Sequence, residues 1–514
     1  MPRKLIVVLV TCIVTLAACS DSTPVVTSTL ITNAVVHDGS GNDAQRASVR
    51  IDGDRIIEIG EIEALAGEVV IDAGGLALAP GFIDTHSHHD SNLQEYRHMP
   101  GVLSQGITLI VRGADGSSDF DGLHLPQSEF NATFEQSPAA VNVASFSAHN
   151  SIRYAVLGED SRRPATADEV AAMAALVEAD MNNGALGLST GLEYDPGIFS
   201  ETDEVIELAK VAANYGGRYM SHVRDEDDLM MDAFDEVIRI GREGQLPVHI
   251  SHIKLADRDF WGTSGDVIEK LNAAREVGIQ VSADIYPYQR WASNLAVLFP
   301  ARDYSDRKVA EFTFAHTATP EDIVLSYFGP NPEFDGLSVA EIASILEKDV
   351  ETTLMELAQA ADDYRMETGR GGAGIIAKGM DEGDVAALML WEHTNICSDG
   401  GHGGGHPRGY GAFPRVLGRF VRDLGVLDLE DAIYKMTALP AATMGFANRG
   451  SIQPGYYADL VLFDPSRIAD RSTMQDPTAL SVGIEKVWVN GVLAFDDGEP
   501  TMIYPGRVVN RDEL

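Results

Sequence analysis

Cysteine is nearly absent: this chain of 514 residues contains three, Cys12, Cys19 and Cys397. With so few thiols there is no disulfide framework, so the core must be held by packing or by metal. Basic side chains are the second shortage. Against 78 Asp and Glu stand 38 Lys and Arg, a formal net charge of -40. A surface of that sign repels phosphate backbones, and no local basic stripe offsets it, which argues against nucleic acid as a partner. Low-complexity tracts and short internal repeats are missing too. What is present is an ordinary apolar fraction of 45%, enough for a sizeable core in a chain too long for one small domain.

The first residues read as an export signal. Arg3 and Lys4 precede the apolar run LIVVLVTCIVTLAA, which stops at Cys19 and is short for a spanning helix. The ending LAAC, from Leu16 to Cys19, has the form of a bacterial lipobox, in which the cysteine is lipidated and becomes the new N-terminus. An ordinary cleaved signal with an incidental cysteine is the alternative. Residues 1–19 are therefore assigned to a lipoprotein signal peptide, and DSTPVVTST reads as a short tether. Ser20 is compatible with sorting to an outer membrane, so the expected location is the cell envelope, lipid-anchored at the periplasmic face. Cys12 leaves with the signal, Cys19 carries the lipid and Cys397 remains a free thiol.

From about Leu30 to Ala79 the sequence runs in short Val/Ile-rich pieces broken by Asp-Gly and Gly-Gly, which predicts hairpins. The same texture returns in GSIQPGYYADLVLFDP and GIEKVWVNGVLAFDDG. Residues 26–80 and 441–514 are thus expected to form one small β-sandwich from both chain ends. Between them, strands and helices alternate at roughly thirty-residue spacing. Thr166 and Glu169 form a capping box at a helix that ends near Gly184, and two further helices close on glycine. Compact apolar pieces such as GALGLST, RYMSHV and LPVHISHI separate them. The expectation is an α/β chain whose residues 81–440 form a (β/α)8 TIM-type barrel. The rhythm breaks near 294–374, read as a largely helical insertion placed like a lid.

Histidines cluster in GFIDTHSHHD. On a strand His86 and His88 share one face and His89 takes the other; on a helix the pair would sit about 200° apart. His-x-His alone also describes ordinary surface or core histidines. Directly after APGFID, at the C-terminal end of a barrel strand, it is read as a divalent-metal site. His89 is left as an outer neighbour or an exposed residue. YMSHVRDE places His222 at another strand end, and in VHISHIK only one of two histidines can face the site. His252 lies nearer the mouth and His249 is set aside. His402 and His406 sit in glycine-rich text, either as plain loop residues or as contacts at the mouth. Asp399, in ICSDGG, follows an apolar run at a late strand end, where a carboxylate serves as acid/base or merely as a turn aspartate before Gly-Gly.

Taken together, APGFIDTHSHHD, GALGLSTGLEYDPG, YMSHVRDE, HISHIK, DIYPY, SDGG…HPRGYG and RGSIQPGYYADLVLFDP resemble the amidohydrolase superfamily, and within it the D-aminoacylase branch of N-acyl-D-amino-acid deacylases. The resemblance covers nearly the whole mature chain. It implies a zinc-dependent hydrolase with one or two divalent ions. His86, His88, His222 and His252 match its metal ligands, Asp399 its catalytic aspartate, and Lys254, Tyr286 and Arg408 the groups that hold the substrate carboxylate. The family's bridging cysteine is replaced: Asp115 stands in the matching place, a harder ligand that loosens selectivity among divalent ions. Many superfamily members carry a carboxylated lysine on strand four; here Glu193 is the nearby acid available to bridge. A serine that some relatives use for the substrate carboxylate aligns with Ala292, with Ser293 beside it.

The implied reaction is hydrolysis of the amide bond of N-acyl-D-amino acids, with a small-molecule substrate and membrane contact only through the lipid. A dipeptidase or cyclic-amide hydrolase of the same superfamily, or a non-catalytic binding lipoprotein, are the alternatives. Replacing Cys19 by Ser is expected to abolish palmitate labelling and release the protein from the membrane fraction. An unmodified protein that takes up no label would assign the segment to an ordinary cleaved signal.

Overall fold

The computed structural model describes residues 28–118, 123–403 and 405–511; the signal segment and Cys19 lie outside them. The two ends of the described chain meet in one sheet. Thr29–Val36 pairs antiparallel with Gln45–Asp52, and its first half also runs parallel to Val69–Asp72, its second half to Ala77–Pro80. Ala77–Pro80 then pairs with Leu460–Phe463, which carries Ile484–Val489, Val492–Asp496 and Glu499–Pro500 onto the same nine-stranded sheet. Val489 and Val492 face each other across Asn490 and Gly491, both at positive φ (49° and 78°). That is the twist a two-residue hairpin demands, and it explains the Asn-Gly there. Ile31, Val49 and Leu78 from one end bury against Leu460, Leu462 and Trp488 from the other.

Between the ends run the parallel strands of the barrel. Phe82–Asp84, Ile107–Arg112 and Asn142–Ser145 form a three-stranded arc. Ser147–Ala148, Gly187–Gly191, Arg218–His222, Val248–Ile250, Val281–Ile285 and Thr394–Ile396 form a six-stranded one. Asn142–Ser145 and Ser147–Ala148 are one strand broken at Phe146, which leaves eight in the ring. Leu186 N–H donates to Ser145 across that break. At the other seam Asp399 N–H donates to His86 O (2.9 Å) and His88 N–H to Gly400 O (2.8 Å). These strands are short and buried, which is why they read as compact apolar runs rather than alternating ones. Helices such as Ala167–Asn182, with its Thr166/Glu169 capping box formed, and Thr202–Asn214 follow them.

The segment between the seventh and eighth strands differs from the largely helical expectation. Helices Arg307–Phe312, Val339–Leu346 and Val350–Thr368 are there, but so is an antiparallel sheet of Arg290–Asn294, Val324–Phe328 and Ala373–Lys378. Its strands lie far apart in sequence, so no local alternation or hairpin turn announces them.

Lys435, on Leu429–Met436, anchors the last strand: its buried Nζ lies 2.6 Å from Trp391 O and 3.4 Å from Thr394 O. Burial pulls this lysine down to about 8. The unfolded chain therefore holds the proton more tightly, and stability gained at Lys435 rises with pH between about 8 and the ordinary lysine value near 10.4. Lys435→Met is expected to lack this alkaline gain, so thermal midpoints of the two proteins should converge or diverge across that window; a constant difference would contradict it.

Candidate active site

Five barrel strands deliver side chains to one cleft at their C-terminal ends. His86 and His88 follow the first strand, Asp115 the second, His222 ends the fifth, His252 follows the sixth and Asp399 the eighth. His86 Nε2 lies 3.4 Å from Asp115 Oδ1 and 3.6 Å from Asp399 Oδ1. His88 Nε2 lies 3.3 Å from Asp115 Oδ2 and 3.3 Å from Asp399 Oδ1. On the far side of Asp115, His252 Nε2 is 3.5 Å from Oδ1 and 2.9 Å from His222 Nδ1. The donors thus fall into two overlapping sets, one of His86, His88, Asp115 and Asp399, the other of Asp115, His222 and His252.

Three of these residues hold left-handed backbone: Asp115 (φ 54°), His252 (φ 36°) and Asp399 (φ 48°). Such conformations cost energy in non-glycine residues and persist only where neighbours enforce them. For His252 the enforcing group is Asp284, whose Oδ1 accepts the His252 N–H. Asp284 Oδ2 is fixed by His249 Nε2 (2.9 Å) and Thr85 Oγ1 (3.0 Å). Asp399 is pinned by the seam bond to His86. For Asp115 the permissive neighbour is Gly191, whose missing Cβ would stand 2.3 Å from Asp115 O.

The arrangement fits divalent cations. Asp115 Oδ1 and both ring nitrogens of His86 are buried and have no hydrogen-bond partner. His222 Nδ1 and His252 Nε2 point at one another. An unpaired buried acceptor costs about 1–3 kcal/mol, and a cation between these atoms removes that cost. The outer nitrogens are already engaged: His222 Nε2 meets Glu193 Oε2 at 2.8 Å and His252 Nδ1 meets Glu226 Oε1 at 3.2 Å. Carboxylates on the outer nitrogens leave the inner ones bare for metal. The electrostatics agree. Burial opposes charge on His88, yet Asp115 and Asp399 push it up to about 10. Burial and Lys254 oppose charge on His252, and Asp399, Glu226 and Asp115 still push it up to about 9. Despite burial, Arg408 and the imidazoles hold Asp399 well below the usual carboxylate range.

Beside these donors the cleft, about 390 Å³, is bordered by Lys254, Tyr286 and Arg408. Arg408 Nη1 lies 2.7 Å from Asp399 Oδ2, and its guanidinium stands 4.7 Å from the Tyr286 ring centre. The Tyr286 hydroxyl is buried without a partner. Trp291, Val297 and Leu298 give the cleft an apolar part of its lining. Ala292 lends only its carbonyl to Arg408 (3.3 Å), and Ser293 donates to the Tyr194 hydroxyl (3.4 Å).

The structure brings all nine predicted site residues within the described chain to this one cleft. Glu193 stands behind His222, and Asp115 is the carboxylate between the two donor sets. His249 faces Asp284 beneath the centre. His89 and His402 are buried against each other, 4.8 Å between ring centres, and His406 Nε2 contacts Arg290 O at 3.0 Å. Sequence reasoning passed over Glu226 and Asp284. Both had a trace: Glu226 falls four places after His222 in SHVRDE, and Asp284 opens DIYPY at a strand end.

Fold and site together define a metal-binding hydrolase barrel, and the comparison with known proteins places it. The chain belongs to the amidohydrolase family, whose profile matches residues 69–321 and 395–495 and so passes over most of the inserted segment. The D-aminoacylase of Alcaligenes xylosoxydans xylosoxydans is 36% identical over 96% of this chain and 99% of its own length. A D-aminoacylase crystal structure superposes with a TM-score of 0.84 at 36% identity, covering 94% of this chain and 99% of that one. The N-acyl-D-glutamate deacylase of Bordetella bronchiseptica, solved with zinc and a phosphonate that mimics the tetrahedral intermediate, gives 0.82 at 34% identity over 94% and 99%.

Asp284→Asn removes one of two oxygens that receive three donors. It is expected to cost about 1.5–3 kcal/mol, the range for hydrogen bonds to charged groups, read as a shift of the denaturant midpoint in metal-free protein. An unshifted midpoint would mean that Asp284 does not enforce the His252 backbone.

Proposed function

We propose that this chain hydrolyses the amide bond of N-acyl-D-amino acids, releasing a carboxylate and a D-amino acid. The observation that carries the reading is one cleft holding three things side by side: a bare set of cation donors, an ionised aspartate, and a cluster of Lys254, Arg408 and the unpaired Tyr286 hydroxyl suited to a free carboxylate. His86, His88, Asp115 and Asp399 would hold zinc or a related divalent ion, and Asp115, His222 and His252 would hold a second; such an ion would supply the positive charge that lowers the pKa of water towards about 7 and polarises an amide carbonyl.

The remaining work belongs to the side chains. Arg408 and Lys254 grip the substrate carboxylate, the former with N–H groups other than the one on Asp399, and so fix the scissile bond over the centre. Tyr286 adds its free hydroxyl. Asp399, kept ionised by Arg408, takes a proton from the attacking water and returns it to the departing amine, without which the leaving group would be an amide anion. Trp291, Val297 and Leu298 give an apolar substituent a dry wall. The D preference is supported by the relatives' activities. The basic start, apolar run and LAAC ending support a lipid anchor at Cys19 and an envelope location.

Zinc-loaded protein is expected to hydrolyse N-acetyl-D-amino acids in preference to their L-counterparts and to dipeptides, and to lose the activity on chelation. Chelator-treated protein with undiminished turnover would refute the metal role. Asp399→Asn should lower kcat by about 100-fold or more, the usual scale of general acid–base catalysis, with zinc still bound by the imidazoles. A near-normal rate removes Asp399 from the mechanism.

A further inference from the structure

Glu226 stands where the two halves of the site touch. It lies on the loop after the fifth barrel strand. Its Oε1 is 2.6 Å from Lys254 Nζ and 3.2 Å from His252 Nδ1. Its carbonyl accepts the Ala256 N–H at 3.1 Å, so the loop that carries Lys254 is clamped through backbone as well as side chain.

This geometry settles a competition. Lys254 Nζ lies 2.7 Å from His252 Nδ1. If the ammonium donated to that nitrogen, the ring proton would sit on Nε2, the atom that faces Asp115 and His222, and Nε2 could not bind metal. A carboxylate placed between them resolves the conflict. It accepts the Nδ1–H, which leaves Nε2 bare, and it draws the ammonium to itself, which holds Lys254 at the cleft with its other N–H groups free. A neutral amide there would keep an accepting oxygen but lose the charge that draws the ammonium off Nδ1.

We propose that Glu226 is a positioning residue that couples metal capture at His252 to recognition of the substrate carboxylate by Lys254. This rests on the function proposed above. Glu226→Gln keeps the shape and removes one acceptor. In the full-length protein it is expected to weaken zinc affinity about 10–100-fold by chelator competition, the scale for outer partners of ligating histidines. With zinc restored to saturation, the KM for an N-acetyl-D-amino acid should rise about tenfold with kcat little changed. Hydrolysis of the matching N-acetylamine, which lacks the carboxylate, should be unaltered. A merely structural role would not discriminate between those substrates. Should Glu226→Gln melt early, Glu226→Ala, which removes the carboxylate altogether, gives the same readouts. Active wild type with either zinc affinity or KM unmoved in the variant overturns the coupling alone. A wild type that binds zinc but hydrolyses no N-acyl-D-amino acid overturns the function and the coupling with it.

Discussion

The C-terminal ends of the barrel strands gather more negative charge than a protein interior tolerates. Asp84, Asp115, Asp284 and Asp399 are each buried, with Glu193 close behind them and Glu226 at the edge. An ionised carboxylate away from water must be paired, hydrogen-bonded or neutralised by protonation. Asp284 is satisfied by three donors. Asp84 takes the Ser398 N–H and hydroxyl, and burial still pushes it up to about 7. Asp115 and Asp399 have only imidazoles and one guanidinium. The fold tolerates this surplus because the surplus is a binding site for positive charge, and the rest of the architecture, from ring closure to the strained turns, keeps those carboxylates from drifting apart.

Precision comes from a second, quieter layer beneath the cleft. His249, Thr85, Ser398 and Asp284 touch neither cation donors' inner atoms nor the cleft, yet they decide where His252 and Asp399 point. Buried polar networks of this kind are useful only when every member is satisfied. Here each oxygen of Asp284 has its donor, and the strained backbone of His252 is held by a charge-assisted bond rather than by sterics. The seam between the first and eighth strands does the same for Asp399, which stands opposite His86 because their backbones are bonded.

Much of this was legible in the sequence because the chemistry is carried by residue types with few other uses. Histidines separated by one residue just past a strand, or an aspartate at the end of an apolar run, point to a site when the text around them reads as a barrel. The barrel was legible through its short apolar strands and capped helices, and the end-to-end sheet through its turn residues. Glu226 and Asp284 were not, since a carboxylate's partners thirty residues away leave no local pattern and acidic residues are everywhere in this chain. The sheet flanking the helical insertion was hidden for the same reason: Arg290–Asn294 finds its neighbour at Ala373–Lys378, and nothing nearby marks either as a strand.

Asp115 has one more implication. Where a metal centre is bridged by a thiolate, oxidants can convert the ligand stepwise to sulfenic and sulfinic acids, and soft ions such as copper(I) or mercury compete for it. A carboxylate offers neither route. With Cys397 fully buried, no exposed thiol remains among the described residues, and a centre bridged by Asp115 would present peroxide and thiophilic ions with no sulfur ligand to attack.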